Sequence, residues 1–232
     1  MIQKNKRVCI ADWDGTLSDG YTALHWIKHL SKLDFINKKY IEEFQKQILR
    51  FKQGHINYRK LVIMGASIVA RSLKGKKAQE IDIATNGFSH QVLKYIYPFV
   101  FDFIHLLKEH DIKLIVISGA PKKALDQVCK KIGVDELYAF DLNIDKNNLV
   151  IGDVSNNYGL IEKKQEIVNV IVSRYSEVIL GMGNSDYDSP ILEAAKNKLY
   201  MGKTKPLKLI PGVKLISPSN ALGYIQSVIM EE

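Results

Sequence analysis

The chain has 232 residues, 46% of them apolar, and a formal net charge of +8 at neutral pH. That balance excludes a disordered or low-complexity protein and leaves room for a sizeable core with an insert. Two cysteines cannot build a disulfide framework, and no stretch approaches the ~18 consecutive apolar residues of a membrane span. The polar, basic run Met1 to Arg7 carries no apolar targeting segment, so the expected location is the cytoplasm.

In chain order, Val8 to Ala11 predicts a buried strand, with Cys9 as one of its small apolar side chains. From Gly20 to Phe99 the character changes. Residues 22–33, 39–52, 58–73 and 78–96 each place apolar side chains at helical spacing with basic residues between them. This segment holds fourteen Lys or Arg against five Asp or Glu, while the rest of the chain holds nineteen against twenty. All the positive excess therefore lies in a helical insert of 20–99. Pro98 is expected to end the last of these helices and begin the return.

After the insert, strand and helix alternate. A helix is predicted around residues 101–109, a strand over 113–117, a helix over 121–132 closed by Gly133, and a strand over 136–140. A hairpin over 142–152 follows, then a helix ending near Ser173, a strand at Val178, a helix over 191–195, and short strands at Leu199 and Val213. Such alternation calls for an α/β fold with a parallel sheet covered on both faces. The expected organisation is a core of 1–19 and 100–232 interrupted by the helical segment 20–99.

The chemistry gathers at strand ends. Asp12 and Asp14 directly follow the first strand with Gly15 and Thr16, and carboxyl ends of parallel strands are where open α/β sheets hold ligands. Two carboxylates this close call for a shared proton or a cation, for which magnesium is the natural candidate. The second strand runs into Ser118 and Gly119, Ser118 being also a candidate helix N-cap. Lys164 stands one turn before Ile167 and Val168 on a helix; Lys163 competes with it, and the helical offset favours Lys164. The strand at Val178 leads through Gly181 and Met182 to Gly183-Asn184-Ser185-Asp186-Tyr187-Asp188. A shifted register would use Asp186 instead of Asp188 but would set the Met182 thioether, a poor magnesium ligand, at a ligand position. His25 and His29 lie one helical turn apart with no third ligand in view, which favours packing over a metal site.

These four ordered motifs resemble those of the haloacid dehalogenase (HAD) superfamily, whose first motif reads Asp-x-Asp-Gly-Thr. The helical insert after that motif resembles a C1 cap. With Ser-Gly-Ala-Pro after the second strand and Gly-Asn-Ser-x-x-Asp-x-Pro-x-Leu at Gly183 to Leu192, the chain is most similar to the phosphoserine-phosphatase-like branch. The resemblance implies a Rossmann-like core, a bound Mg2+, and hydrolysis of a small phosphorylated metabolite through an aspartyl phosphate. It implies Asp12 as nucleophile and Asp14 as general acid and then base. Ser118, the Gly119 amide and Lys164 would hold the phosphoryl oxygens, and Asp12, Asp14, Asn184 and Asp188 the metal. Glycines 15, 119, 181 and 183 are then expected where the backbone turns tightly or nears the phosphate.

Two departures qualify the likeness. Phosphoserine phosphatases usually carry a Glu five residues past the Thr of the first motif to hold the substrate ammonium. Here Tyr21 stands there as the candidate substrate contact, which argues against phosphoserine. Asn184 replaces the usual Asp, removing a charge from the metal site. A phosphotransferase using the same intermediate is the nearest alternative. A module whose basic insert binds nucleic acid or an anionic lipid surface is the alternative from another class, although the insert shows no interleaved RNA-binding aromatics, so nucleic acid is not favoured. If the insert's charge lies over the site entrance, it should steer multiply charged phosphates, with Lys74, Lys76 and Lys77 as the test positions.

Overall fold

The computed structural model describes residues 7–201 and 210–231, so the basic stretch 1–6 lies outside the described residues. Strand β1 (Arg7–Ala11) enters the middle of the molecule and is followed by five helices, α1 (Thr22–Lys32), α2 (Lys39–Lys52), α3 (Tyr58–Ser72), α4 (Ala78–Thr85) and α5 (Phe88–Val92). The chain then forms α6 (Phe99–Glu109), β2 (Lys113–Pro121), α7 (Lys122–Ile132), β3 (Glu136–Ile144) and β4 (Val150–Ser155). It finishes with α8 (Ile161–Arg174), β5 (Glu177–Gly183), α9 (Ser189–Ala194), β6 (Asn197–Tyr200), β7 (Val213–Leu215) and α10 (Ala221–Met230).

The described strands make one seven-stranded sheet in the order β4-β3-β2-β1-β5-β6-β7, parallel except for the β3–β4 hairpin. The chain winds outward to one side of β1 and then crosses to β5 on the other, so a crevice opens at the carboxyl ends of β1 and β5. Alternation along the strands divides the core. Cys9, Ala11, Leu114 and Val116 point into the layer that holds α6, α10 and the helical insert, whereas Val8, Ile10, Ile115 and Ile117 meet Ile167, Val168 and Ile171 of α8. The first layer is continuous with the insert: Trp26, Ile27 and Leu30 of α1 and Ile68 and Val69 of α3 belong to the same buried cluster as Cys9 and Phe103. Both cysteines, Cys9 and Cys129, are free and buried.

Three local readings need correction. The helix expected over 78–96 is broken, because Gly87 takes a left-handed φ of 83° and separates α4 from α5. Pro98 does not end an insert helix; it stands at the N-cap of α6, where its missing N–H costs nothing. The residues before it are pinned to the outgoing chain instead, Tyr97 N–H donating to Leu17 O (3.0 Å) and Asp19 N–H to Tyr95 O (2.8 Å). Helix α10, not expected from the sequence pattern, buries Ile225, Val228 and Ile229 beside α6. Among the described residues, no helix is long and apolar enough to cross a membrane.

Candidate active site

Asp12 is the first residue past β1, and its place is fixed by its own backbone, whose N–H donates to Met182 O of β5 (3.0 Å). The carboxylate is 7% exposed. Lys164 Nζ donates to its Oδ1 (2.7 Å), and Thr16 Oγ1 lies 3.5 Å from its Oδ2. Lys164 reaches the strand ends because it lies on the buried stripe of α8 with Ile167, Val168 and Ile171. It also donates to Asp188, which is buried in the short turn after β5. The neighbouring Lys163 faces outward and pairs with Glu166, so helical geometry separates the two lysines as their offset suggested. Asp188 is fixed in turn by the amides of Asn184 and Ser185 and the Ser185 hydroxyl, all at 2.9 Å from its Oδ2.

Asp14 leaves the turn in a different direction. Its Oδ1 accepts the Thr22 hydroxyl (2.6 Å) and the Thr22 N–H (3.0 Å) at the start of α1, and the Trp13 indole donates to that same hydroxyl (3.0 Å). A metal contact through the Asp14 carboxylate would compete with those bonds. Gly15, at φ 86°, turns the chain so tightly that a Cβ there would lie 2.0 Å from Asn184 Nδ2. Asn184 Oδ1 accepts from Thr16 Oγ1 (3.4 Å), bringing the first and last motifs together. Gly119 answers to a different neighbour than expected, since a Cβ there would lie 2.8 Å from Cα of Gly159. Gly181 and Gly183 likewise make room for Ile191 and Asp188. Ser118 lines the crevice but is not a helix N-cap; Pro121 is, and the Ser118 hydroxyl accepts from Ala120 N–H (3.1 Å).

The electrostatics is that of too many buried anions. Asp12, Asp14 and Asp188 share the crevice with one lysine. Burial, aided by the Asp188 charge and opposed by Lys164, pushes the Asp12 carboxyl up to about 7. Burial outweighs the Thr22 hydrogen bonds at Asp14 and raises it to about 6. Burial works against the Lys164 ammonium too, but Asp12 and Asp188 overcome it and hold the group charged. Asp12 and Asp188, which share one lysine, and the amide oxygen of Asn184, tied to the first motif through Thr16, offer the hard oxygen donors that a divalent cation takes. Among the described residues, no group of three or more His, Cys, Asp or Glu is placed to hold a metal ion, so the candidate set mixes two carboxylates with an amide oxygen. The His25 and His29 pair is accounted for by packing. His29 Nε2–H donates to Ala84 O (2.9 Å), its Nδ1 accepts from Gln91 (3.0 Å), and His25 lies 3.9 Å from the Tyr95 ring.

A cavity of about 440 Å³ rises from these groups into the insert. Sequence reasoning missed its upper wall. Phe44 and Phe51 of α2 and Tyr58, Leu61, Val62 and Ala66 of α3 enclose it, with Tyr97 at the return segment; Tyr21, the contact named from the sequence, lines it as well. Helical spacing on α3 makes the residues at 58, 62 and 66 neighbours, but the same spacing serves ordinary core packing and so carries no signal of its own. The expected basic entrance is absent: among the described residues, no Lys or Arg lines this cavity. The turn holding Lys74, Lys76 and Lys77 is instead zipped to the β4 hairpin, Gly75 N–H donating to Val150 O (2.8 Å) and Val150 N–H to Lys76 O (3.0 Å). The insert's positive charge is thus a solvated outer face.

The model of the haloacid dehalogenase-like hydrolases matches residues 9–193. Among solved structures, a protein of unknown function from Bordetella pertussis Tohama I is similar with a TM-score of 0.68 at 14% identity, over 85% of this chain and 90% of that one. A phospho-aspartyl intermediate analogue of phosphoserine phosphatase follows at 0.59 and 19% identity, over 85% and 87%. A phosphoserine phosphatase from T. onnurineus gives 0.57 and 18%, over 96% and 95%. Identities this low establish a shared fold alone. No curated protein matches the sequence. With a family match running from β1 into α9, across every strand end that carries a motif, the chain belongs to the haloacid dehalogenase-like hydrolases.

Proposed function

We propose that the protein is a phosphomonoester hydrolase in which Asp12 is the nucleophile and Asp14 the general acid and base. The observation that carries this reading is the pair itself: a buried carboxylate at the tip of the central strand, held by Lys164, with a second carboxyl two residues on that Thr22 turns elsewhere. An Asp12 oxygen attacks phosphorus, the P–O bond to the leaving alcohol breaks, and Asp14 gives its proton to that oxygen. Water then attacks phosphorus of the aspartyl phosphate, Asp14 takes a proton from it, and inorganic phosphate leaves with Asp12 restored. Lys164, the Ser118 hydroxyl and the Gly119 amide face the charge that spreads over the phosphoryl oxygens. Asp12, Asn184 and Asp188 are the residues that would hold Mg2+, which when bound supplies charge neutralisation at the phosphoryl group. The names of the phosphoserine phosphatases that share the fold support phosphate ester chemistry, and Tyr21 speaks against serine as the leaving group.

The test is phosphate release from small phosphomonoesters in magnesium. Asp12→Asn keeps shape and removes the nucleophile, so turnover should fall by at least ~100-fold, as for loss of a group acting in covalent catalysis. Beryllium fluoride should inhibit the parent. Retention of a tenth of the parent rate by Asp12→Asn overturns the assignment.

A further inference from the structure

We infer that the leaving group for which this cavity is shaped is an uncharged alcohol with an apolar body, an alkyl or aryl residue carrying no carboxylate, ammonium or second phosphate. The inference rests on the hydrolase reading for its reaction and on the cavity wall for its substrate class. The polar groups lie on one side: Asp12, Asp14, Ser118, Gly119, Asn184 and Ser185 form the floor at the strand ends. Above them, Phe44, Phe51, Leu61, Val62 and Ala66 present hydrocarbon, and no basic side chain among the described residues is there to receive an anion. A carboxylate on the leaving group would face the Asp12 and Asp14 charges without a partner, and burying such an unpaired ion is prohibitive.

A cationic leaving group would be drawn by the floor carboxylates but finds little to pair with at the wall. Asp19 at the mouth is the one carboxylate on that side of the cavity among the described residues, and it is exposed and engaged by Tyr97. Of the rings lining the cavity, Phe51, Tyr58 and Tyr97 are already in ring pairs, while Tyr21, Phe44 and Phe140 enter none among the described residues. Tyr58 meets Phe51 edge-on at 5.8 Å and packs on Tyr187 at 4.7 Å, and Tyr97 stacks on Phe99, whereas a cage needs several free faces converging within ~6 Å. Burial also raises the Tyr58 hydroxyl, with the charges of Asp12, Asp188 and Asp14 adding to it. That ring therefore stays neutral beside the floor.

The experiment compares n-alkyl phosphates from methyl to hexyl in the presence of magnesium. Leaving-group basicity hardly changes along the series, so the slope of kcat/KM reports the apolar wall. The expected rise is about two- to fourfold per methylene through at least butyl, the share of a buried CH2 realised in a preformed pocket. Phosphoserine should lie at least ~10-fold below butyl phosphate, and phosphocholine below its neutral isostere 3,3-dimethylbutyl phosphate. A flat alkyl series, or either charged ester ahead of its neutral counterpart, overturns the inference. The matching alkylphosphonates, which cannot be hydrolysed, are titrated calorimetrically. Chain-length-graded binding with an increasingly negative heat-capacity change supports the wall on its own. Graded phosphonate binding without turnover of any ester sinks the hydrolase reading and leaves this one standing; turnover without grading does the reverse. Val62→Ser and Phe51→Ser, checked for an unchanged thermal midpoint, should flatten the series, and an unaltered slope in both counts against the inference.

Discussion

At the scale of single residues the site is organised by shortage of positive charge. Asp14 shows the consequence for stability. Its carboxyl is raised from 3.8 to about 6 in the folded chain, so the folded state holds this proton more tightly than the unfolded state. Ionising Asp14 therefore costs nothing below about pH 4, costs more as pH rises through the window to about 6, and costs a constant amount above it. Asp14→Asn keeps an oxygen for Thr22 and removes that penalty. In magnesium-free buffer its thermal midpoint should match the parent near pH 4 and exceed it by ~6–12 °C above pH 6, the yield of about 3 kcal/mol in a chain of this size. A midpoint difference independent of pH would show that Asp14 titrates normally.

The same scale shows what a sequence can carry. Asp12, Ser118, Lys164 and the Asn184 to Asp188 turn are legible because each sits at a strand end or on a helix stripe, where position along the chain dictates position in space. Tyr58 and Phe51 are not legible as site residues. They approach the strand ends only through the way the insert folds over them, and their spacing is that of any amphipathic helix. The charge count misled for a related reason: composition locates lysines in a segment but not on a face of it, and these face outward.

Among elements, α3 matters most for the cavity, because Tyr58, Leu61, Val62 and Ala66 all hang from it. Its first turn is held by Asn57, whose side chain accepts from Lys60 N–H (2.9 Å). Losing that N-cap costs about 1 kcal/mol, so Asn57→Ala should lower the thermal midpoint by ~2–4 °C and raise KM more than it lowers kcat. The Arg59–Glu162 pair joins the same end of α3 to α8 with two hydrogen bonds of 2.9 and 2.6 Å, yet both side chains are nearly half exposed. An exposed pair is worth at most about 1 kcal/mol, so Arg59→Ala should shift the midpoint less than Asn57→Ala. The reverse order in a scanning calorimetry comparison would make the ion pair, rather than the cap, the anchor of α3. Element boundaries were legible where Gly or a periodic stripe marked them, as at Gly133 and over α2. The pattern over 78–96 hid a break because Gly87 is tolerated inside a helical pattern until its φ is known.

Across the whole molecule, the insert and the sheet share one buried layer, and this bears on cooperativity. Trp13 stands beside the strand end and Trp26 in the first insert helix, both fully buried in the same cluster. Among the described residues the insert has no buried cluster of its own apart from this shared layer, so it should unfold together with the sheet. Single-tryptophan proteins Trp13→Phe and Trp26→Phe, followed by fluorescence in denaturant beside far-UV dichroism, should each give coincident transitions. An earlier transition at Trp26 than in the dichroism of the same protein would mean that the insert melts alone. The sheet order was legible only as alternation; that β5 returns beside β1 depends on long-range pairing that no local pattern encodes.

Cys9 lies in the middle of β1, three residues from the proposed nucleophile, and burial pushes its thiol up to about 12. Only a thiolate reacts with an alkylating agent. In the folded chain this sulfur is therefore both shielded and protonated, and so is that of Cys129 in α7, which burial also raises. Each label that iodoacetamide leaves on Cys9 consequently marks one episode in which the central strand came apart. Its rate of modification reports the fraction of time for which the strand that carries Asp12 is exposed to water, measurable by peptide mass spectrometry that separates Cys9 from Cys129, without any substrate, metal or engineered probe.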